Sequence, residues 1–318
     1  MNEGISKAAA FGRVAVLMGG RSAEREVSLR SGEAVLGALL SRGVDAVAVD
    51  AGSQRIVSQL QAGAFDCAFN IVHGRGGEDG VIQGLLDYLD IPVTGSNVLG
   101  SALAMDKQRT KRVWQGMGLP TPDFVMLTSE SDLQTAAQRI GFPMILKPVH
   151  EGSSLGMARV EQADQMEQAW REAYQYDHEV MAERWIQGEE YTAAIVGDVV
   201  LPLIHLETPR EFYDYEAKYQ SDTTQYHCPC GLPETREAAL QQLCRQAFDA
   251  VGASGWGRVD FFLDAEDSPW LIEVNTVPGM TDHSLVPMAA QQYGWELPEL
   301  AWRILETAMH EARGVHGG

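Results

Sequence analysis

From Arg13 to about Pro92 the chain alternates short apolar runs with stretches of helical period. Val14 to Met18 is a β-rich run ended by Gly19-Gly20, and Val27, Ala34, Val35, Ala38 and Leu39 then recur at the spacing of one helix face until Gly43. Two more buried-strand patterns follow, Ala46 to Val49 and Phe65 to Val72, with helical period from Val81 to Leu89. Apolar strands separated by helices predict a parallel α/β sheet, in which ligands gather at the carboxyl ends of the strands. Two such ends carry polar, glycine-bearing loops, Gly19-Gly20-Arg21-Ser22-Ala23-Glu24 and His73-Gly74-Arg75-Gly76-Gly77-Glu78-Asp79-Gly80.

A second unit opens near Ser96. It has a helical stretch around Met105 to Met117, a break at Pro120 and Pro122, a strand from Phe124 to Leu127, and a helix from Leu133 to Ile140. A strand from Met144 to Lys147 then leads into a glycine-rich loop, Glu151 to Gly156. The third unit, from about Arg184 onward, holds strands, a helix from Pro233 to Val251 and a terminal helical region. Its segment from about Thr208 to Pro229 has four tyrosines and no clear period. Structureless stretches longer than roughly 12–15 residues inside a compact domain are usually lids or binding loops. The expected division is a flexible tail at 1–12, an α/β domain at 13–95, a central lobe at 96–183, and a C-terminal lobe at 184–318 whose lid is 208–229.

Charge narrows the function. The 318 residues include 24 Lys or Arg against 44 Asp or Glu, a net charge of −20, whereas grip on nucleic acid or on an anionic membrane needs a basic surface. No apolar run approaches the roughly 18–20 residues of a membrane helix, and Met1 to Arg13 is too short and mixed for a signal peptide. Four cysteines, Cys67, Cys228, Cys230 and Cys244, are too few for a disulfide scaffold. These features predict a soluble, cytoplasmic protein with no nucleic-acid or membrane partner.

The richest constellation lies near the C-terminus. Period-2 alternation puts Arg258 and Asp260 on one face of the strand Gly257 to Phe262, and Glu273 and Asn275 on one face of Trp270 to Asn275. The short polar link Asp264 to Ser268 predicts a hairpin that brings the four together. Three oxygen ligands, with a Glu able to bridge two ions about 4 Å apart, suit Mg2+ accompanied by phosphates. The bland alternative is a pair of amphipathic strands with solvated polar faces. Against it stands Asn-Thr-Val-Pro-Gly, a rigid turn directly after the carboxylate. Lysines form the second constellation. Lys107 sits in a basic island, Asp106 to Arg112, of net charge +3, and Lys147 ends an apolar strand just before the glycine-rich loop. Glycine lets backbone N–H groups approach phosphate, and lysine supplies a point charge. Each lysine taken alone reads more readily as a solvated surface charge than as a phosphate ligand.

Two patterns lead elsewhere. Gly152-Ser153-Ser154-Leu155-Gly156 matches the G-x-S-x-G elbow of serine hydrolases, with Ser154 at the nucleophile position. That elbow requires a helix after the turn, whereas Met157 to Val160 reads as a strand. His227-Cys228-Pro229-Cys230 suggests zinc but lacks a second ligand pair at zinc spacing. A non-catalytic nucleotide sensor is a further alternative, which the complete set of Arg258, Asp260, Glu273 and Asn275 opposes.

Taken together, the motifs resemble the D-alanine–D-alanine ligases of the ATP-grasp superfamily. The matching stretches are Gly19 to Ser28, His73 to Gly80, Met105-Asp106-Lys107, Glu151 to Ser154, Phe212 to Tyr219, Gly255 to Asp260, Glu273 to Thr281, and His283 to Pro287, in family order. The resemblance implies an N-terminal parallel α/β domain of Rossmann-like, pre-ATP-grasp type followed by a two-lobed ATP-grasp α+β fold. It implies ATP-dependent joining of two D-alanines through an acyl phosphate, for the peptide stem of the cell wall. It places two Mg2+, replaceable by Mn2+, on Asp260, Glu273 and Asn275, and phosphates on Lys107, Lys147 and, from the lid, Lys218. Glu183, Trp185 and Ile186 match the adenine segment and Glu190 the ribose position; Arg184 stands where lysine is usual. Arg258 and the N–H of Gly279 take the oxyanion role, in which each aimed donor is worth about 3 kcal/mol. Glu24 pairs with the first ammonium in a hydrogen-bond chain with Ser153 and Tyr219, His73 lies by the same pocket, and Ser284 with the N–H of Leu285 holds the second carboxylate. Tyr219 favours an amine over D-lactate as second nucleophile. A homodimer is the assembly implied.

Overall fold

Three sheets carry the chain in this computed structural model, which describes residues 7–130, 132–152, 154–208 and 224–315. The first contains β1 (Arg13–Met18), β2 (Asp45–Asp50) and β3 (Cys67–Asn70) in the order β2-β1-β3, all parallel. The connecting helices are α1 (Arg25–Ser41) and α2 (Ile56–Gly63), and α3 (Val81–Tyr88) follows. Residues 14–18 of β1 are all buried, as the unbroken apolar run requires of a strand covered on both faces. Gly77 shows how tightly the loop after β3 is drawn in: a Cβ there would stand 2.0 Å from the carbonyl oxygen of Val72.

The second unit comprises α4 (Val98–Met105), α5 (Lys107–Gly116), β4 (Phe124–Leu127), α6 (Asp132–Ile140), β5 (Met144–Pro148), β6 (Ala158–Val160), α7 (Met166–Tyr174) and β7 (Val180–Arg184). Its sheet is antiparallel, in the order β4-β7-β5-β6. Met105 and Lys107 fall in different helices because Asp106 is extended (φ −91°, ψ 99°) and its carboxylate caps α5, accepting from Arg109 N at 2.8 Å. Asn97 caps α4 in the same way, accepting from Gly100 N at 2.9 Å.

The third unit comprises β8 (Gly188–Val196), β9 (Val199–Val200), β10 (Ile204–Glu207), β11 (Gln225–His227), α8 (Glu234–Ala250), β12 (Trp256–Asp264), β13 (Pro269–Asn275), α9 (Leu285–Tyr293) and α10 (Leu297–Val315). The strand order is β11-β10-β8-β12-β13, with β9 on β8. The β12–β13 hairpin expected from Asp264 to Ser268 is present, its turn held by Asp264, which accepts from Glu266 N, Ser268 N and Trp270 Nε1. A parallel α/β unit followed by two antiparallel lobes is therefore the observed architecture.

One core joins the first sheet to the third unit, with Val14, Val16 and Phe69 in the same cluster as Trp256, Leu300 and Leu305. This corrects part of the expected tail. Ala8–Phe11 form a 3-10 turn, and Phe11, fully buried, packs edge-on against Trp302 with ring centroids 4.8 Å apart. Burying such a ring contributes roughly 1.5–3 kcal/mol, enough to hold residues 8–12 in the folded body. Among the described residues, no helix is long and apolar enough to cross a membrane.

Candidate active site

A cleft of about 590 Å³ opens between the second and third sheets. Lys107, Lys147, Glu183, Arg184, Trp185, Ile186, Glu190, Asp260 and Glu273 all line it. Adjoining it through Lys107, Glu151, Gly152 and Glu273 is a smaller pocket of about 40 Å³, which adds Glu24, Glu78 and Asn275.

The β12–β13 pairing sets Arg258 opposite Asn275 and Asp260 opposite Glu273, just before a register shift between Asp260 and Phe261. Arg258 grips Asp260 with two bonds, Nε to Oδ1 at 2.8 Å and Nη2 to Oδ2 at 2.6 Å. Asp260 also accepts from Thr192 Oγ1 of β8 at 2.6 Å and from Asn275 Nδ2 at 3.0 Å, while Lys107 Nζ stands 3.4 Å from Glu273 Oε2. Arg258 and Asp260 are buried, at 9% and 7% exposure, which rules out the solvated-strand alternative. Among the described residues no group of three or more His, Cys, Asp or Glu is placed to hold a metal. The set is two carboxylates and an amide, oxygen donors whose hardness fits Mg2+ completed by phosphate and water. The amide of Asn275, which now points Nδ2 at Asp260, would turn over to offer Oδ1.

On the opposite wall, Lys147 is the last residue but one of β5 and Glu183 lies in β7, where Ile145 is paired with Glu183, so Lys147 reaches the carboxylate diagonally. Its Nζ is 3.1 Å from Glu183 Oε1, and Lys111 Nζ of α5 is 2.8 Å from Oε2. Burial drives the Glu183 carboxyl up, but the two ammonium groups outweigh it and hold its pKa below the ordinary range. Burial pushes the Lys111 ammonium down to about 8, against the pull of Glu183. The Glu183 carboxylate is thus committed to lysines rather than offered to the cleft. Lys107 Nζ donates to the carbonyl of Glu151 at 2.8 Å, tying α5 to the glycine-rich loop. Arg184 is paired with Asp123 at 2.9 Å, and the guanidinium of Arg159 lies over the Trp185 ring, 4.8 Å from its centroid.

The first unit closes the small pocket. Glu24, from the loop after β1, approaches the glycine-rich loop so closely that a Cβ at Gly152 would stand 3.5 Å from Glu24 Oε2. Glu78 accepts from Gly74 N at 2.6 Å and Val277 N at 3.3 Å, yet its pKa is pushed up to about 8 by burial and then by Glu24, so at neutral pH it holds its proton. His73 is buried, with Nδ1 2.8 Å from the carbonyl of Val277 and Nε2 3.3 Å from Ser31 Oγ; burial depresses its pKa and keeps it neutral. Gly279 lies in the turn after β13, Ser284 at the N-cap of α9 and Leu285 at its first position, all outside the lining of both cavities. Ser284 Oγ accepts from Thr281 N at 2.9 Å.

Ser153, Lys218 and Tyr219 lie outside the described residues, as does most of the expected lid. The glycine-rich loop leads into the strand β6, so the helix a nucleophile elbow requires is absent there. Cys228 and Cys230 are free thiols, and burial pushes Cys228 up to about 11, which makes it unreactive. Lys111 and Glu78 are the residues for which sequence reasoning assigned no role. Lys111 had one signal, its place four residues after Lys107 on the same helix face.

Residues 50–96 match the family model for the D-ala D-ala ligase N-terminus, and residues 113–306 match that for the D-ala D-ala ligase C-terminus. The chain is 58% identical over 308 residues to the D-alanine–D-alanine ligase of Methylococcus capsulatus, covering 97% of this chain and 99% of that one. It is 57% identical to the enzyme of Nitrosococcus oceani over 94% of this chain and 95% of that one. The crystal structure of the Bacillus anthracis D-alanine–D-alanine ligase superimposes with a TM-score of 0.85 at 32% identity, covering 95% of this chain and 99% of that one. The Bacillus anthracis enzyme complexed with ATP gives 0.81 at 30% identity, with 95% and 99% covered.

Proposed function

The chain belongs to the D-alanine–D-alanine ligase family, and from that premise we propose how its cleft joins two D-alanines with ATP. The reaction yields D-alanyl-D-alanine, ADP and phosphate through a D-alanyl phosphate, in peptidoglycan precursor synthesis. A carboxylate oxygen of the first D-alanine attacks the γ-phosphorus and ADP leaves. The amine of the second D-alanine attacks the acyl carbon, loses a proton, and expels phosphate from the tetrahedral intermediate.

The observation that supports this reading is the convergence of Asp260 and Glu273 with Lys107 and Lys147 on one cleft between two lobes, Asp260 being held from behind by Arg258 and Asn275. Lys107 and Lys147 hold the phosphates, joined by Lys218. Trp185, Ile186 and the backbone at Glu183 receive adenine, and Glu190 the ribose. Asp260, Glu273 and Asn275 hold two Mg2+, or Mn2+ in their place, which when bound neutralise charge on the transferring phosphoryl group. Arg258 and the Gly279 N–H aim positive charge at the developing oxyanion. Glu24, linked to Ser153 and Tyr219, and His73 bound the first D-alanine, while Ser284 and the Leu285 N–H bind the carboxylate of the second. Segment 208–229 closes over ATP, since an acyl phosphate open to water would hydrolyse. The working unit is a cytoplasmic homodimer of chains divided at about residues 95 and 183.

Phosphate release with ATP, Mg2+ and a panel of D-amino acids and D-lactate, with product masses recorded, tests the assignment. The dipeptide mass, dependent on D-alanine, is expected; phosphate release with another product, or none, would refute it.

A further inference from the structure

Lys111 is fully buried and lies outside the lining of the cleft, yet it shares a carboxylate with a residue that lines it. Its Nζ donates to Thr121 Oγ1 at 2.7 Å and pairs with Glu183 Oε2 at 2.8 Å, while the other oxygen of Glu183 takes Lys147 Nζ at 3.1 Å. Thr121 Oγ1 in turn donates to the carbonyl of Leu271 at 2.9 Å, at β13, which fixes the acceptor that Lys111 needs. Two ammonium groups on one carboxylate leave one positive charge over. Without Lys111, the remaining Lys147–Glu183 pair would be neutral, and a buried neutral pair attracts a triphosphate far less than a lysine with charge to spare.

From this geometry we infer that Lys111 is a positioning residue for the ligase reaction: it neutralises Glu183 so that the charge of Lys147 stays available to the phosphates of ATP. The inference rests on the reading of Lys147 as a phosphate contact. It differs from a scaffold role in one respect, since what Lys111 contributes is charge and another way of balancing Glu183 should replace it.

The test compares wild type, Lys111→Met and the double variant Lys111→Met/Glu183→Gln, with separate KM values for ATP and D-alanine and with the shift in Tm on adding ATP. Lys111→Met should raise the KM for ATP about ten- to a hundredfold, the size of one charge-assisted contact, and leave the KM for D-alanine unchanged. The double variant removes the positive and the negative charge together and should recover most of the ATP affinity. An ATP KM unaltered in Lys111→Met, or a double variant as weak as or weaker than the single, overturns the inference. If Lys111→Met does not fold, the double variant decides alone: near-wild-type ATP binding supports the charge role, and loss of it refutes it. Absence of ATP-dependent phosphate release in the wild type would instead overturn the reading of the site.

Discussion

The two ends of the cleft each crowd like charges into a buried place, and they accommodate the crowding by different routes. At the nucleotide end, Lys111 and Lys147 crowd one carboxylate, Glu183, on elements that hold them rigidly, α5, β5 and β7. Two positive groups share one negative group, and one positive charge is left over. At the amino-acid end, Glu24 and Glu78 come together on loops of the first unit. There Glu78 keeps its proton, its pKa pushed up to about 8 by burial and then by Glu24. Crowding like charges is expensive in a buried site, and the two ends resolve it by ion pairing in one case and by protonation in the other.

Substitutions that abolish either balance should have separable effects. The largest is expected at the border, where Glu273 faces both cavities. Glu273→Gln should lower kcat about a thousandfold, the several kcal/mol a lost metal ligand costs, with an unchanged circular dichroism spectrum; unaltered kinetics would contradict the metal assignment. Lys147→Met should raise the KM for ATP about thirtyfold and leave that for D-alanine in place. Glu24→Gln should do the reverse, raising the KM for D-alanine about tenfold at constant ATP affinity. Equal effects on both substrates from either variant would break the division into two ends.

The smallest effect concerns stability. The Glu78 carboxyl has a folded pKa near 8 against an ordinary 4.5, so the folded state holds its proton more tightly than the unfolded chain does. Its favourable contribution is complete below about pH 4.5 and is lost as pH rises through 8. Glu78→Gln removes the titration and keeps a carbonyl acceptor for one of the two N–H groups, Gly74 at Oε2 being the shorter bond. The Tm advantage of the variant over wild type should therefore grow between about pH 5 and about pH 8.5; a constant gap would show that Glu78 is already ionised.

Much of this was legible along the chain, because the signals were local. Period-2 alternation put Arg258 with Asp260 and Glu273 with Asn275, and the short polar link predicted the hairpin that brings those pairs together. The buried run of β1 and the spacing on α1 marked a parallel unit. What escaped depends on partners distant in sequence. Lys111 meets Glu183 only because the fold brings β7, paired with β5, against α5, and nothing near Lys111 announces a carboxylate. The proton on Glu78 arises from burial and then from Glu24, which a different strand end delivers. Phe11 read as part of a tail because its partner, Trp302, lies near the other end of the chain.

The central claim is that the cleft brings a D-alanine carboxylate to the γ-phosphate of ATP before any peptide bond forms. Turnover of D-alanine labelled with heavy oxygen in its carboxylate, followed by mass analysis of the released phosphate, tests it most directly. Attack by the carboxylate transfers one labelled oxygen to each phosphate, and that is the result the account predicts. Dipeptide formed alongside unlabelled phosphate would contradict it.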